Sequence, residues 1–423
     1  MFLSRRDLGQ NDRRNIALLI AHGRSIYPGR QSEEPNMKKM FILAASFYVT
    51  CACAAAPIAP DARPQSKPTA PMFPLQLEMR APFDPTAFPS AGRTYLTYEL
   101  YLTNFSGSPM TLRRIEVLDT GQAPTKPIAA FEGEQIDSRL QTIGARASTD
   151  DSNPRQLSAG ATVIVFMWIP FDTGTQIPNR LGHRILTADS SVESAVIGSH
   201  HTELHVLGPP VQGPGWLASD GPSNDRDNHH RRGFLLMDGH PIISRRYAID
   251  WKRMENGAAF AGNERENRSY YSYGEPVLAV ASGTIVTARD GLPDNNPGHF
   301  EAFRPAVPIT LETIAGNTIT LDLGGGQFAY YFHLQPGSVR VQAGDHVRRG
   351  EVLGRIGCSG DAREPHLHFE VTTSPRPLVG EGVPYLIDSY RMKGAGDASQ
   401  TRTRELPLRD MLIDFAQTGE DTH

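Results

Sequence analysis

Glu364-Pro-His-Leu-His-Phe-Glu370 carries two histidines, His366 and His368, two residues apart in a stretch of extended character. Side chains alternate across a strand, so the two imidazoles share a face while Phe369 and Val371 turn the other way, into a core. One imidazole can then hold a metal while its neighbour handles a proton. A bare His-x-His also fits two surface or internally satisfied histidines. The rest of the chain decides between the two.

The 423 residues suffice for two domains with proper cores, and 39 Gly and 33 Pro among short Val, Ile, Tyr and Phe runs point to a mainly β protein. A net charge of −4 with no basic stripe argues against nucleic acid as a partner. Residues 1–56 read as an N-terminal extension and signal peptide. Two lysines after Met37, a short apolar run and Ala52-Cys53-Ala54 have the makeup of a secretory signal, and the polar residues before Met37 place the true start at Met37 or Met40. The apolar run is too short to span a bilayer, so no transmembrane span is expected in the mature chain. The expected location is outside the cytoplasm, in the periplasm or cell envelope. Of Cys51, Cys53 and Cys358, the mature chain would keep one thiol and no internal disulfide.

Residues 57–71 form a Pro/Ala-rich linker. Over 72–208, short strands alternate with Gly/Pro/Asn turns, as in Tyr95–Leu102, where Leu96, Tyr98, Leu100 and Leu102 share a face. This predicts an immunoglobulin-like β-sandwich. Its histidines lack carboxylates or cysteines at ligand spacing. Gly/Pro punctuation makes 209–228 a linker, and a second domain over 229–390 precedes a tail with a closing strand, 391–423.

The second domain opens at His229-His-Arg-Arg-Gly-Phe-Leu-Leu-Met-Asp-Gly-His and runs on to Tyr247-Ala-Ile-Asp250. Asp238-Gly239 is a strong hairpin turn. If those two residues are the loop, Met237 faces His240 and His229 faces Ala248, on the face that carries Asp250. Cross-strand neighbours lie ~5 Å apart and alternate residues ~6.6 Å, so both side chains could reach one ion. A three-residue loop would bring His230 there instead. The apolar pattern leaves both open, with His229 preferred.

Gly274-Glu-Pro-Val-Leu-Ala279 with Gly283, Tyr331-Phe-His333-Leu334, the glycine-punctuated Val339–Gly357 and His366-x-His368 follow in order. Together with Ala248-Ile-Asp250 they resemble the LytM/lysostaphin-type zinc metallopeptidases that cut peptidoglycan cross-bridges, over roughly residues 250–372. The resemblance implies a lysostaphin-like β-sheet/barrel-sandwich domain that binds Zn2+, with Asp250 and His368 as ligands and His333 and His366 as the catalytic histidines flanking a water. One departure is Arg246, which stands where the family has its first histidine ligand, four residues before the aspartate. A guanidinium offers no lone pair. Substitution by His229, or by His230, is expected. Cys358 stands where the family usually has asparagine. Val339–Gly357 also looks like a biotinyl or lipoyl carrier hairpin, but it has no lysine at its tip.

The sequence thus points to an exported zinc endopeptidase that hydrolyses the peptide cross-links of cell-wall peptidoglycan. The alternative, motivated by Arg246, is an inactive scaffold of the same fold that binds or regulates a cell-envelope protein.

Overall fold

Strand alternation builds the first half of the molecule. In Arg93–Asn104, Leu96, Tyr98, Leu100 and Leu102 enter one apolar core. That strand lies between Leu77–Arg80 and Thr162–Asp172 in a five-stranded antiparallel sheet. A second five-stranded sheet, centred on Met110–Asp119 and Arg180–Thr187, closes the same core from the other side with Leu112, Ile115, Val117, Leu181 and Ile185. The computed structural model describes residues 73–144, 153–188, 190–199, 203–298, 303–394 and 398–417. The signal and linker read over 37–71 lie outside these.

The opposite face of Arg93–Asn104 is buried too: Thr97, Glu99 and Tyr101 are at most 2% exposed. The sandwich packs there against the second half, within one compact unit. Phe88, fully buried, marks the apolar seam, with its ring 5.4 Å from that of Tyr247 and 5.7 Å from that of Tyr95. Phe88→Ala should destabilise the whole unit by about 3–5 kcal/mol, read as a lowered denaturation midpoint. A change within error would mean the seam contributes little.

The second half is organised on an eleven-stranded sheet. At its centre Ile249–Arg253 lies between Trp216–Ser219 and Leu367–Thr372, and Leu367–Thr372 pairs in turn with Gln327–Leu334, all antiparallel. One face buries Ala218, Ile249, Trp251, Leu367, Phe369, Val371 and Tyr331. Phe369 and Val371 point inward, as alternation requires.

Residues 209–228, read as a linker, contain the Trp216–Ser219 strand, with Trp216 and Ala218 fully buried. Val206–Leu207, read as the end of the sandwich, runs parallel to Leu386–Ile387 in the large sheet. In the tail, Leu412–Asp414 pairs with both Trp216–Ser219 and Leu386–Lys393. Gly/Pro punctuation signalled breaks here, but it cannot show that a four-residue strand lies between them.

Candidate metal centre

Register sets the first contact. Asp250 and His368 are directly opposed on neighbouring strands, and Phe332 opposes His368 on its other side. Directly opposed residues share a face, so both polar side chains stand opposite to the Ile249, Trp251 and Phe369 core. His368 Nδ1 lies 2.8 Å from Asp250 Oδ1. His366, two residues back, shares that face and brings its Nε2 to 3.5 Å from the same oxygen.

His333 reaches the site by a different route. Alternation would send it away from the face of its neighbour Phe332. Its backbone is instead left-handed, with φ 65°, a rare conformation for a residue other than glycine. The alternation breaks there, and the His333 ring lies 4.9 Å from that of His366 and 6.0 Å from that of His368.

The hairpin is as read at its tip and differs further out. Asp238 and Gly239 both have positive φ, and Met237 pairs with His240. The ladder ends at Leu235↔Ile242, however, and the strands do not continue. His229–Arg232 form one helical turn, and Ser244–Tyr247 form a 3-10 turn. The expected cross-strand delivery of His229 onto the face of Asp250 is therefore replaced by delivery from this turn. Asn228 caps it: its side chain accepts from Arg231 N at 3.0 Å and donates to Gly221 O at 2.8 Å.

The turn brings both histidines near Asp250. One donor atom from each of His229, His230 and Asp250 lies within 4.8 Å of the others. They are not equivalent. His230 is 2% exposed, with Nε2 3.5 Å from Asp250 Oδ1. The His229 side chain is 38% exposed and turns Nδ1 toward Asp220 Oδ1 at 3.7 Å.

Second contacts fix which nitrogens are free. Nδ1 of His230 donates to Asp220 O (2.9 Å), that of His333 to Ser359 O (2.8 Å) and that of His366 to Glu364 O (2.8 Å). A carbonyl only accepts, so Nδ1 carries the hydrogen in all three rings. Burial pushes the pKa of each of these rings down, which leaves Nε2 with a bare lone pair. Burial pushes the Asp250 carboxyl up, but His366, His230 and the His368 hydrogen bond outweigh it and hold it well below the usual range. For His368 burial disfavours the charge, yet the bonds to Asp250 and Glu370 raise it to about 9. Glu370 Oε2 lies 3.5 Å from His368 Nε2.

This donor set fits a borderline divalent cation such as zinc: a buried ionised carboxylate among imidazoles whose far nitrogens bond backbone carbonyls or, for His368, face the Glu370 carboxylate at 3.5 Å. His230, Asp250 and His368 could hold the ion, with His333 and His366 beside it. Sequence reasoning missed Asp220, set inside the supposed linker, and Glu370, whose strand position two residues after His368 does place it on the same face.

Arg246 is 2% exposed and faces away from the metal centre, toward the sandwich. Its Nη2 lies 2.7 Å from both Glu99 Oε2 and Glu381 Oε2, and its Nη1 donates to Gly382 O at 2.8 Å.

Residues 269–379 match the model of Peptidase family M23. Lysostaphin of Staphylococcus simulans is 29% identical over 135 residues, which are 31% of this chain and 23% of that protein. Peptidoglycan DD-endopeptidase ShyA of Vibrio cholerae is 29% identical over 105 residues, 25% of this chain and 19% of that protein. The chain thus spans about a quarter or less of the length of these relatives. The solved catalytic domain of lysostaphin from Staphylococcus simulans is 23% identical and aligns with 40% of this chain and 80% of that one, at a TM-score of 0.19.

Proposed function

From a chain whose residues 269–379 match Peptidase family M23, we propose a zinc endopeptidase that hydrolyses the peptide cross-links of peptidoglycan outside the cytoplasm. The observation that carries this is the convergence of His230, His366 and His368 on one oxygen of Asp250, at 3.5, 3.5 and 2.8 Å. The relatives include a peptidoglycan DD-endopeptidase, which supplies the substrate class.

His230 Nε2, an Asp250 oxygen and His368 Nδ1 would hold the ion, and the hydrogen that His368 Nδ1 donates to Asp250 would leave as a proton on binding. When bound, zinc supplies Lewis acidity, which makes water a nucleophile near neutral pH and polarises a carbonyl. The remaining chemistry belongs to His333 and His366. Each is neutral and oriented by a backbone carbonyl, so its Nε2 can accept a proton from the attacking water. Once protonated, the same nitrogen can hydrogen-bond the oxyanion or return the proton to the leaving amine. The left-handed backbone of His333 serves this pairing, because a regular strand would carry its ring to the other face.

The inactive-scaffold alternative drew on Arg246 alone. With His230 beside Asp250, a ligand lost at position 246 has a replacement, and this supports the enzyme reading.

Purified protein is expected to bind about one zinc and to release cross-link peptides from isolated sacculi. Metal-free protein that stays metal-free in zinc buffer would overturn this reading. His333→Ala and His366→Ala should each keep the zinc while activity falls about 10²–10⁴-fold. Near-parental release by both would remove them from the chemistry.

A further inference from the structure

We propose that Glu99, a residue of the N-terminal sandwich, is a positioning residue of the metal centre. It clamps Arg231 and Arg246 and thereby fixes the turn that presents His230 to Asp250. This rests on the reading of His230, Asp250 and His368 as ligands, and extends it to a residue some 150 positions upstream of Asp250.

Glu99 is 2% exposed on the face of Arg93–Asn104 that is turned from the sandwich core. Its Oε1 receives Arg231 Nη1 and, at 3.2 Å, Arg246 Nε, and its Oε2 receives Arg246 Nη2 at 2.7 Å. Arg231 is fully buried, and its Nη2 donates to Tyr98 O and Met167 O at 3.0 and 3.1 Å, two carbonyls of adjacent sandwich strands. Its neighbour Arg232 adds Nη2 bonds to Ser138 O at 3.0 Å and Asn224 O at 2.9 Å.

His230 precedes Arg231 in a turn of four residues. Such a turn has no ladder of its own to fix it, so its orientation comes from its tertiary anchors. Glu99, Tyr98 O, Met167 O and Ser138 O among those anchors lie on the sandwich, and Asp220 O, Gly221 O and Asn224 O supply the rest. The same carboxylate binds Arg246, four residues before Asp250, and so ties two of the chain segments that build the metal centre, those of His230 and Asp250, to one point. A buried Arg–Glu–Arg group is weak evidence for stability. Here each guanidinium donates more than one hydrogen bond to a fixed acceptor, which restrains the segment that carries it. The sandwich is then part of the site and not a spacer.

The test is a zinc titration on the full chain with a competing chelator, alongside the visible spectrum of the Co2+-substituted protein and a thermal melt. Glu99→Gln removes the shared anion. The triple variant Glu99→Leu, Arg231→Met, Arg246→Met removes the buried group and leaves only the Glu381 carboxylate without its guanidinium, at a side chain 18% exposed that water can reach, so it should stay folded even if Glu99→Gln alone does not. Zinc affinity should fall about tenfold to hundredfold, and the Co2+ bands should shift, in a variant that still melts cooperatively. A folded triple variant with parental zinc affinity and Co2+ spectrum overturns the positioning role and leaves the ligand assignment standing. A parental protein that binds no zinc overturns both.

Discussion

Replacing Asp250 by alanine is expected to leave the purified protein without retained zinc and to lower peptide release from sacculi by about 10⁴-fold or more. The reason is the role of a single oxygen. Asp250 Oδ1 is 2.8 Å from His368 Nδ1 and 3.5 Å from both His230 Nε2 and His366 Nε2, on a side chain only 7% exposed. Removing it takes away a ligand and also the negative charge that offsets a dication among neutral rings. Asp250→Asn tests the charge separately. The amide keeps the shape and one oxygen, so the fold should persist, while a neutral oxygen is a far weaker zinc ligand and retention should fall nearly as far. His368→Ala is the companion, because its Nδ1 faces the same oxygen across the strand pair. Zinc is measured by elemental analysis after chelator exchange, and the melt checks the fold. Parental zinc and parental activity in both Asp250→Ala and His368→Ala would place the metal centre elsewhere.

Much of this site could be read locally. The two-residue period of Glu364–Glu370 put His366 and His368 on one face and Phe369 in the core, and the large sheet has that arrangement. Asp238-Gly239 marked its turn correctly. What escaped depends on distant partners or on backbone conformation. The periodicity of Tyr95–Leu102 shows one apolar face; it cannot show that Thr97, Glu99 and Tyr101 on the other are buried by a second half. Counting pairs outward from Asp238-Gly239 reaches His229 only if the ladder continues past Leu235, and there Asn228 caps a helical turn instead. That cap lay within a stretch read as linker. The positive φ of His333 has no sequence signature outside glycine. The sequence marks Arg246 as a departure, but its partner Glu99 lies 147 residues away, and no spacing rule connects them.

His230→Ala is expected to weaken zinc binding well beyond the roughly 10–100-fold typical of an outer partner, whereas His229→Ala should stay within about tenfold of the parent. Both rings sit on one turn with centroids 4.2 Å apart, and proximity alone does not separate them. Orientation and burial do. His230 donates Nδ1–H to Asp220 O, so its lone pair is on Nε2, the nitrogen 3.5 Å from Asp250 Oδ1. Its ring also meets that of His368 edge-on at 4.8 Å, which leaves it little freedom to turn away. His229 keeps 38% of its side chain exposed, and its Nδ1 lies 3.7 Å from the carboxylate of Asp220, so its loss removes packing against His230 and one surface contact. The cross-strand reading of the sequence favoured His229, and the two single variants decide the matter directly. The reverse pattern, with zinc lost in His229→Ala and kept in His230→Ala, would mean that the turn rotates when it binds metal. Zinc kept in both would mean that Asp250 and His368 recruit a third ligand from elsewhere on this face. His366 would then be the first candidate, since its Nε2 lies at the same 3.5 Å from Asp250 Oδ1.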